Sequence, residues 1–450
     1  MKLNTVIIRY LTIESESNGY LTRVLSMSNK TILLHLPAYR DPELIPTIKD
    51  ALANAEFPDR VHFGICLQYN PDDGFDDLSE YENDKRFKIE KMHYTKAKGL
   101  PYARALINDT LLTDEDYVCQ LDSHHRFTKN WDSTLINWHD QLVNDGYNPI
   151  IGGYSPMYNP SNDPEERVNE PWMSLAACFY PFGTIFIRPG GIPNWQDLKS
   201  PIPARFLSGH FAFGTNKWAK EVKHDPNIFF AGEELNLSVR SFTHGYDLFH
   251  PHEVVIWHAT MREERSGMLI WDDQHKRGED QWWKGNDIAR SRIRQLLGVE
   301  DSGHDLGDYG LGNVRTINEY EKYAGINFKL KAFQQYTIDN EIAPNPIQNN
   351  YGLTKWEDTF IKSHYHVINI TKDMLPENDY ESILVSFDDK NSKGIHQVYI
   401  DDQRLQDFIS NGTLIHYEEM FFSSKVPYKL IFWGISKERG WAEKFETVLI

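Results

Sequence analysis

The residues best suited to chemistry lie in the run Tyr117-Val118-Cys119-Gln120-Leu121-Asp122-Ser123-His124-His125. An apolar stretch climbs to Asp122 and His124 follows two residues later, so in an extended segment both side chains project to one side. A carboxylate and an imidazole presented together can grip a divalent first-row ion such as Mn²⁺. A strand ending in such a pair can hold a nucleotide diphosphate through that ion. The competing reading is a strand end with a solvated aspartate and two surface histidines, and the tripeptide alone leaves both open. A second cluster is Gly232-Glu233-Glu234. Gly232 supplies a turn, and two carboxylates in the first turn of a helix are favoured by its dipole, which is also a purely structural explanation for them.

The flanking pattern supplies elements to position these groups. Thr31-Ile32-Leu33-Leu34-His35-Leu36-Pro37 is a continuous apolar run, typical of a strand buried on both faces. Residues 43–55 have helical spacing, with Leu44, Ile48, Ala51 and Leu52 on one face. Val61 to Gln68 is the next strand, completing a right-handed βαβ unit. Ligands on such sheets bind at the carboxyl ends of the strands. Those ends carry Ala38, Tyr39, Arg40, Asp41 and Gln68, so Tyr39, Arg40 and Asp41 become candidate contacts to a base and ribose. Further on, Lys88 to Tyr94 reads as a strand and Tyr102 to Leu112 as a helix after Gly99 and Pro101. Arg104, near its start, would aim a guanidinium at the strand ends where a diphosphate would lie. Arg262 and Arg265 follow a strand ending at His258 and are further phosphate candidates.

Composition narrows the class. The 450 residues are 40% hydrophobic and 25% charged, an ordinary soluble profile, and the length suggests two or three domains. A formal net charge of -18 disfavours nonspecific nucleic-acid binding. Cys66, Cys119 and Cys178 are odd in number and far apart, which argues against a disulfide framework and for a reducing, cytoplasmic setting. No signal-peptide pattern opens the chain, and no stretch approaches the roughly 20 apolar residues of a membrane span.

Gly99-Leu100-Pro101-Tyr102-Ala103-Arg104 together with Asp122-Ser123-His124 resembles the pattern of nucleotide-sugar glycosyltransferases of the GT-A fold, such as the polypeptide N-acetylgalactosaminyltransferases. With His35-Leu36-Pro37-Ala38-Tyr39-Arg40-Asp41 added, the chain is more similar to the family that attaches N-acetylglucosamine to hydroxyproline of Skp1. The resemblance covers about residues 30–290 and implies an α/β domain with a Rossmann-like, mixed central sheet. It also implies a donor such as UDP-N-acetylglucosamine and retention of configuration. On that pattern His258 completes a metal site with Asp122 and His124 for Mn²⁺ or Mg²⁺, though His250 and His252 are nearby competitors. Ser123, Gly209 and His210 join the donor site, although His210 also reads as a satisfied, half-buried histidine. Glu233 falls near the acceptor hydroxyl and the donor sugar, with Glu234 in a neighbouring place where the polypeptide enzymes have Asn. Residues 268–283, with Trp271, Trp282 and Trp283, suggest a lid.

The expected organisation is an N-terminal extension over 1–30, the transferase domain over 31–295, a helical and loop connection over 296–348, and a smaller β-rich accessory domain over 349–450. Residues 316–333 read as helical and Pro344 to Gly352 as a linker. The acceptor is a hydroxyl on protein, glycan or modified nucleotide. The rival readings are a metal-dependent hydrolase, a non-catalytic glycan-binding protein, and a transferase acting on hydroxymethylated DNA bases.

Overall fold

The protein was analysed as a computed structural model that describes residues 29–260, 265–273, 281–346 and 355–449. It divides into two units. The first holds most of the chain to Ala324 plus Ile342–Asn345; the second holds Ala176–Phe186, Gly325–Glu341 and the chain from Pro346.

The first unit is built on an eight-stranded mixed sheet in the order β3-β2-β1-β4-β10-β6-β11-β9. Its strands are β1 (Ile32–Tyr39), β2 (Val61–Tyr69), β3 (Phe87–His93), β4 (Tyr117–Leu121), β6 (Pro149–Gly152), β9 (Ile202–Pro203), β10 (Phe211–Thr215) and β11 (Asp247–His250). A short strand β5 (His125–Phe127), the hairpin β7 (Trp172–Phe179) and β8 (Ile185–Gly191), and β12 (Ile256–His258) lie outside this sheet. The helices are α1 (Leu44–Asn54), α2 (Leu100–Thr110), α3 (Trp131–Asn144), α4 (Asn216–Glu221), α5 (Glu233–Thr243), α6 (Trp282–Leu296) and α7 (Ile317–Ala324). β1 is parallel to β2 and β4, whereas β10 runs antiparallel between β4 and β6. The continuous apolar runs of β1 and β4 are explained by burial on both faces. Leu34, Leu36, Cys119 and Leu121 pack with α1 and α3 residues such as Ile48 and Trp131, while Leu33 and Val118 pack with Ala103 and Ile107 of α2.

The helix expected over 316–333 stops at Ala324. Gly325 takes a positive φ of 64°, and the chain turns into β13 (Ile326–Asn327), which pairs with β14 (Ala332–Gln334). The second unit then carries α8 (Gln335–Ile338), β15 (Phe360–Ile370), β16 (Tyr380–Asp388), β17 (Gly394–Ile400), α9 (Gln403–Asn411), β18 (Ile415–Ser423), β19 (Lys429–Ser436) and β20 (Gly440–Val448). Two four-stranded sheets, β13-β14-β15-β18 and β17-β16-β19-β20, enclose a core of Ile368, Ile383, Val385, Phe421 and Phe432. This is the mixed α/β architecture with a β-rich C-terminal part that the pattern predicts. Among the described residues no helix is long and apolar enough to cross a membrane.

Candidate active site

The register of the central strands assembles the site. β4 ends at Leu121 beside Phe211 of antiparallel β10, so Asp122 and the Gly209-His210 segment arrive together. β12 pairs with β5 so that His258 lies opposite His125, next to Asp122 and His124. Ligand atoms of Asp122, His124 and His258 all lie within 4.8 Å of one another. Oδ2 of Asp122 is 3.7 Å from His124 Nε2 and 3.4 Å from His258 Nε2.

Each of these side chains is held from behind. His124 Nδ1 sits 2.8 Å from Asp41 Oδ2, His258 Nδ1 3.1 Å from Thr260 Oγ1, and Asp122 Oδ1 accepts from Arg104 Nη2 at 2.7 Å. His258 stacks on His210, which is itself fixed: Ser155 N donates to its Nε2 at 3.0 Å and its Nδ1 meets Ser208 Oγ at 2.8 Å. Burial pushes His210 and His125 well below the usual imidazole range, with neighbouring His258 adding to the effect. Burial alone would raise the pKa of Asp122. The neighbouring His258 imidazole and the charge of Arg104 outweigh it and hold this carboxyl well below its ordinary value. Beyond its 3.4 Å approach to Asp122 Oδ2, buried His258 Nε2 has no hydrogen-bond partner among the described residues. Such a nitrogen facing a carboxylate is what a divalent ion would satisfy, so the donor set fits one.

Arg104 does not extend toward a ligand. It is fully buried. Nη1 donates to Leu121 O at 3.0 Å, Nη2 donates to Asp122 and to Gly209 O at 2.6 Å, and Nε stands 2.8 Å from Glu233 Oε1, off the line of its N–H. It therefore ties the end of β4 to the start of α5. The approach depends on Gly99, whose φ is 106° and where a Cβ would fall 2.2 Å from Phe229 O. Leu100 N donates to that same oxygen at 3.0 Å, so α2 starts directly against the segment leading to Gly232.

Gly232, with φ 86°, starts α5. The two carboxylates then diverge. Glu233 is buried, beside Arg104 and 3.6 Å from His224 Nδ1. Glu234 is half-buried, its Oε1 3.4 Å from both Gly209 N and Ser208 Oγ. Burial pushes both acids up to about 7; Arg104 opposes the shift in Glu233.

At the same carboxyl ends of the strands, one strand further along the sheet, the register sets Tyr39 against Gln68. A cleft of about 110 Å³ opens there, lined by Tyr39, Gln68, Leu100, Phe229, Arg265 and Trp271 among others. Ala38 is buried within β1. Arg40 is not free to meet a ribose. It is clamped bidentately on Asp73, with both distances 2.7 Å, and reaches Asp273 at 2.7 Å. Asp273 also accepts from Tyr39 OH at 2.9 Å. Arg265 Nη2 donates to Tyr39 O at 2.5 Å. Ser123 gives its hydroxyl to Asp41, which is fully buried and turned toward His124 rather than toward a base. Arg262 and residues 274–280 of the suggested lid lie outside the described residues, as does the N-terminal stretch 1–28. Trp282 and Trp283 open α6, and Trp271 meets Phe230 edge-on at 6.0 Å. His250 and His252 are buried away from the ligand cluster: His250 Nδ1 sits 2.9 Å from Gly152 O, and His252 packs on Trp138. The sequence reading missed His224, whose Nε2 lies 2.6 Å from Gln120 Oε1. A lone histidine in a polar loop gives no pattern to find it by.

The glycosyltransferase (GlcNAc) family matches residues 74–330, more than half of the chain, and the protein belongs to that family. No curated protein matches it. Among solved structures it is similar to GalNAc-T7 with UDP, GalNAc and Mn²⁺, at 11% identity and a TM-score of 0.47, over 92% of this chain and 68% of that one. It is also similar to residues 1–349 of S. aureus TarS with UDP-GlcNAc, at 10% identity and a TM-score of 0.36, over 60% of this chain and 73% of that one.

Proposed function

We propose that this glycosyltransferase is a metal-dependent, retaining GT-A enzyme that moves N-acetylglucosamine or a similar sugar from a UDP-sugar to an acceptor hydroxyl. The observation that carries the reading is the convergence of Asp122, His124 and His258, with buried His258 Nε2 facing Asp122 Oδ2 at 3.4 Å. These three would hold Mn²⁺ or Mg²⁺. A divalent ion in that place supplies charge neutralisation for the departing diphosphate. The family description supports N-acetylglucosamine as the sugar, and the cleft beside Tyr39 and Gln68 suits a planar base. The buried, unpaired Cys66, Cys119 and Cys178 agree with a cytoplasmic setting.

The chain's own groups divide the remaining work. In the transfer, the bond from C1 to the diphosphate oxygen breaks and a bond from C1 to the acceptor oxygen forms on the same face. The acceptor proton leaves with the diphosphate oxygen. Arg104 orients Asp122 and Glu233 and is a positioning residue. Glu234, half-buried at Gly209, is the better candidate to accept a hydrogen bond from the acceptor hydroxyl. Glu233, which the family pattern favours, is turned into the protein against Arg104. Incubation with Mn²⁺ and a panel of UDP-sugars, scoring UDP release against protein, glycan and modified-nucleotide acceptors, tests the reading. UDP-sugar binding that is unchanged by chelator and by Asp122→Ala would defeat it.

A further inference from the structure

We infer that Asp41 is the positioning residue that sets the His124 tautomer, so that Nε2 presents its lone pair to the ion site. The inference rests on the metal reading above but concerns a residue that lies outside the ligand set. Asp41 is fully buried at the turn between β1 and α1. Its Oδ2 lies 2.8 Å from His124 Nδ1 and 2.5 Å from Ser123 Oγ, and its Oδ1 accepts from the backbone N–H of Glu43 at 3.0 Å. Arg265 Nη1 stands 3.8 Å from Oδ2.

The chemistry follows from what each partner can do. An ionised carboxylate only accepts, so the imidazole nitrogen facing it must carry the proton. With the proton on Nδ1 in a neutral ring, Nε2 has the lone pair, and Nε2 is the nitrogen that faces Asp122 Oδ2. His258 has no such constraint, because Thr260 Oγ1 beside its Nδ1 can donate as well as accept. The tautomer of one ligand is thus fixed by a carboxylate and that of the other is left to the ion. A carboxylate behind an imidazole also raises its basicity as a ligand. Asp41 is in turn held in place: the helix start supplies Glu43 N, and Thr47 of α1 donates to Ser123 O at 3.0 Å and accepts from His125 N at 2.9 Å. The β1–α1 connection therefore clamps the whole turn from Asp122 to His125.

The test measures Mn²⁺ binding to the full chain without donor, by EPR of free Mn²⁺, with pulsed EPR to read imidazole nitrogen couplings. The wild-type protein should show two coupled imidazoles. Asp41→Asn keeps the shape and one accepting oxygen but removes the charge; it should weaken Mn²⁺ binding by roughly tenfold or more and lose or alter one coupling. Thr47→Val removes the hydroxyl that holds the Ser123 and His125 backbone without touching the Asp41 carboxylate, and should leave affinity and both couplings intact. Unchanged binding in Asp41→Asn, or equal damage in Thr47→Val, would overturn the inference, since the latter means Asp41 acts only by holding the turn. A second measurement needs no variant at that position. ¹⁵N-imidazole NMR of the metal-free wild type, with His124 assigned by its loss in His124→Gln, should report a proton on Nδ1; a proton on Nε2 defeats the tautomer claim. Failure of the wild type to bind Mn²⁺ while His124 carries its proton on Nδ1 would count against the metal reading and leave the Asp41 geometry standing.

Discussion

The imidazole of His258 lies stacked on that of His210, ring centroids 4.1 Å apart and planes within 11°. Because both ring nitrogens of His210 are hydrogen-bonded to Ser155 and Ser208, the lower ring is a fixed shelf for the upper one. Asp122→Ala and His258→Ala should each abolish Mn²⁺-dependent UDP-sugar binding, measured by calorimetry. His210→Ala leaves all three ligands present but frees one of them to rotate. It should weaken Mn²⁺ binding roughly tenfold, as loss of a group supporting a ligand does. Retained wild-type affinity in His210→Ala would reduce the stack to packing.

Arg104 joins Asp122 to Glu233 from a fully buried position, so its removal strands two carboxylates. Breaking a buried ion pair by deleting one partner costs about 3–5 kcal/mol. Arg104→Met should lose stability on that scale in urea unfolding. Arg104→Lys should lose less but still fall short, because a single ammonium cannot reproduce the planar fork that meets Leu121 O, Gly209 O and Asp122 together. A wild-type midpoint in both variants would contradict this.

Glu234 titrates at about 7 because burial disfavours its charged form. If its carboxylate receives the acceptor hydroxyl, kcat/KM should rise with pH through about 7, and Glu234→Gln should flatten that limb. The variant's rate should fall roughly 10²-fold while donor affinity holds. Stability has the opposite slope. A folded pKa above the unfolded value means the native state binds the proton more tightly, so this contribution is full below about 4.5 and is lost as pH rises through about 7. Glu234→Gln should therefore raise Tm relative to wild type at pH 8 and lose that advantage near pH 4. A Tm difference independent of pH would show that the group is not shifted.

The second unit carries none of the clustered ligands, and we expect it to be dispensable for donor binding. Asn345 belongs to the first unit, where its Oδ1 accepts from Arg205 Nη2 at 2.6 Å, so a shortened chain should end after it. Such a chain keeps Ala176–Phe186 and Gly325–Glu341, whose Phe179 and Phe333 rings pack together; within their own unit Phe179 N donates to Ser363 Oγ of β15 and the Phe333 ring meets Phe422 of β18. It should bind UDP yet expose apolar surface, seen as dye binding or lowered solubility. Substituting Phe179 and Phe333 with polar residues should relieve that. Complete loss of UDP binding in a folded, soluble shortened chain would refute the division of labour.

The sequence by itself determined the strands and helices whose patterning is local. The apolar runs of β1, β2 and β4 and the 3.6-residue spacing of α1 report burial directly. The i, i+2 spacing of Asp122 and His124 likewise records a shared side of the chain. Where one glycine decided the path, as Gly325 does after α7, a helical pattern read too far. Pairing across long separations was not legible. His258 meets Asp122 only through the β12–β5 register, and the same apolar string would have suited His250 or His252. Charge gave still less guidance: Arg40 and Asp41 in a polar loop and Arg104 near a helix start each looked like a ligand contact. Only the tertiary structure decided that all three are spent on protein partners, because a buried charge must be neutralised by whatever the fold packs against it, and that neighbour lies far away in sequence.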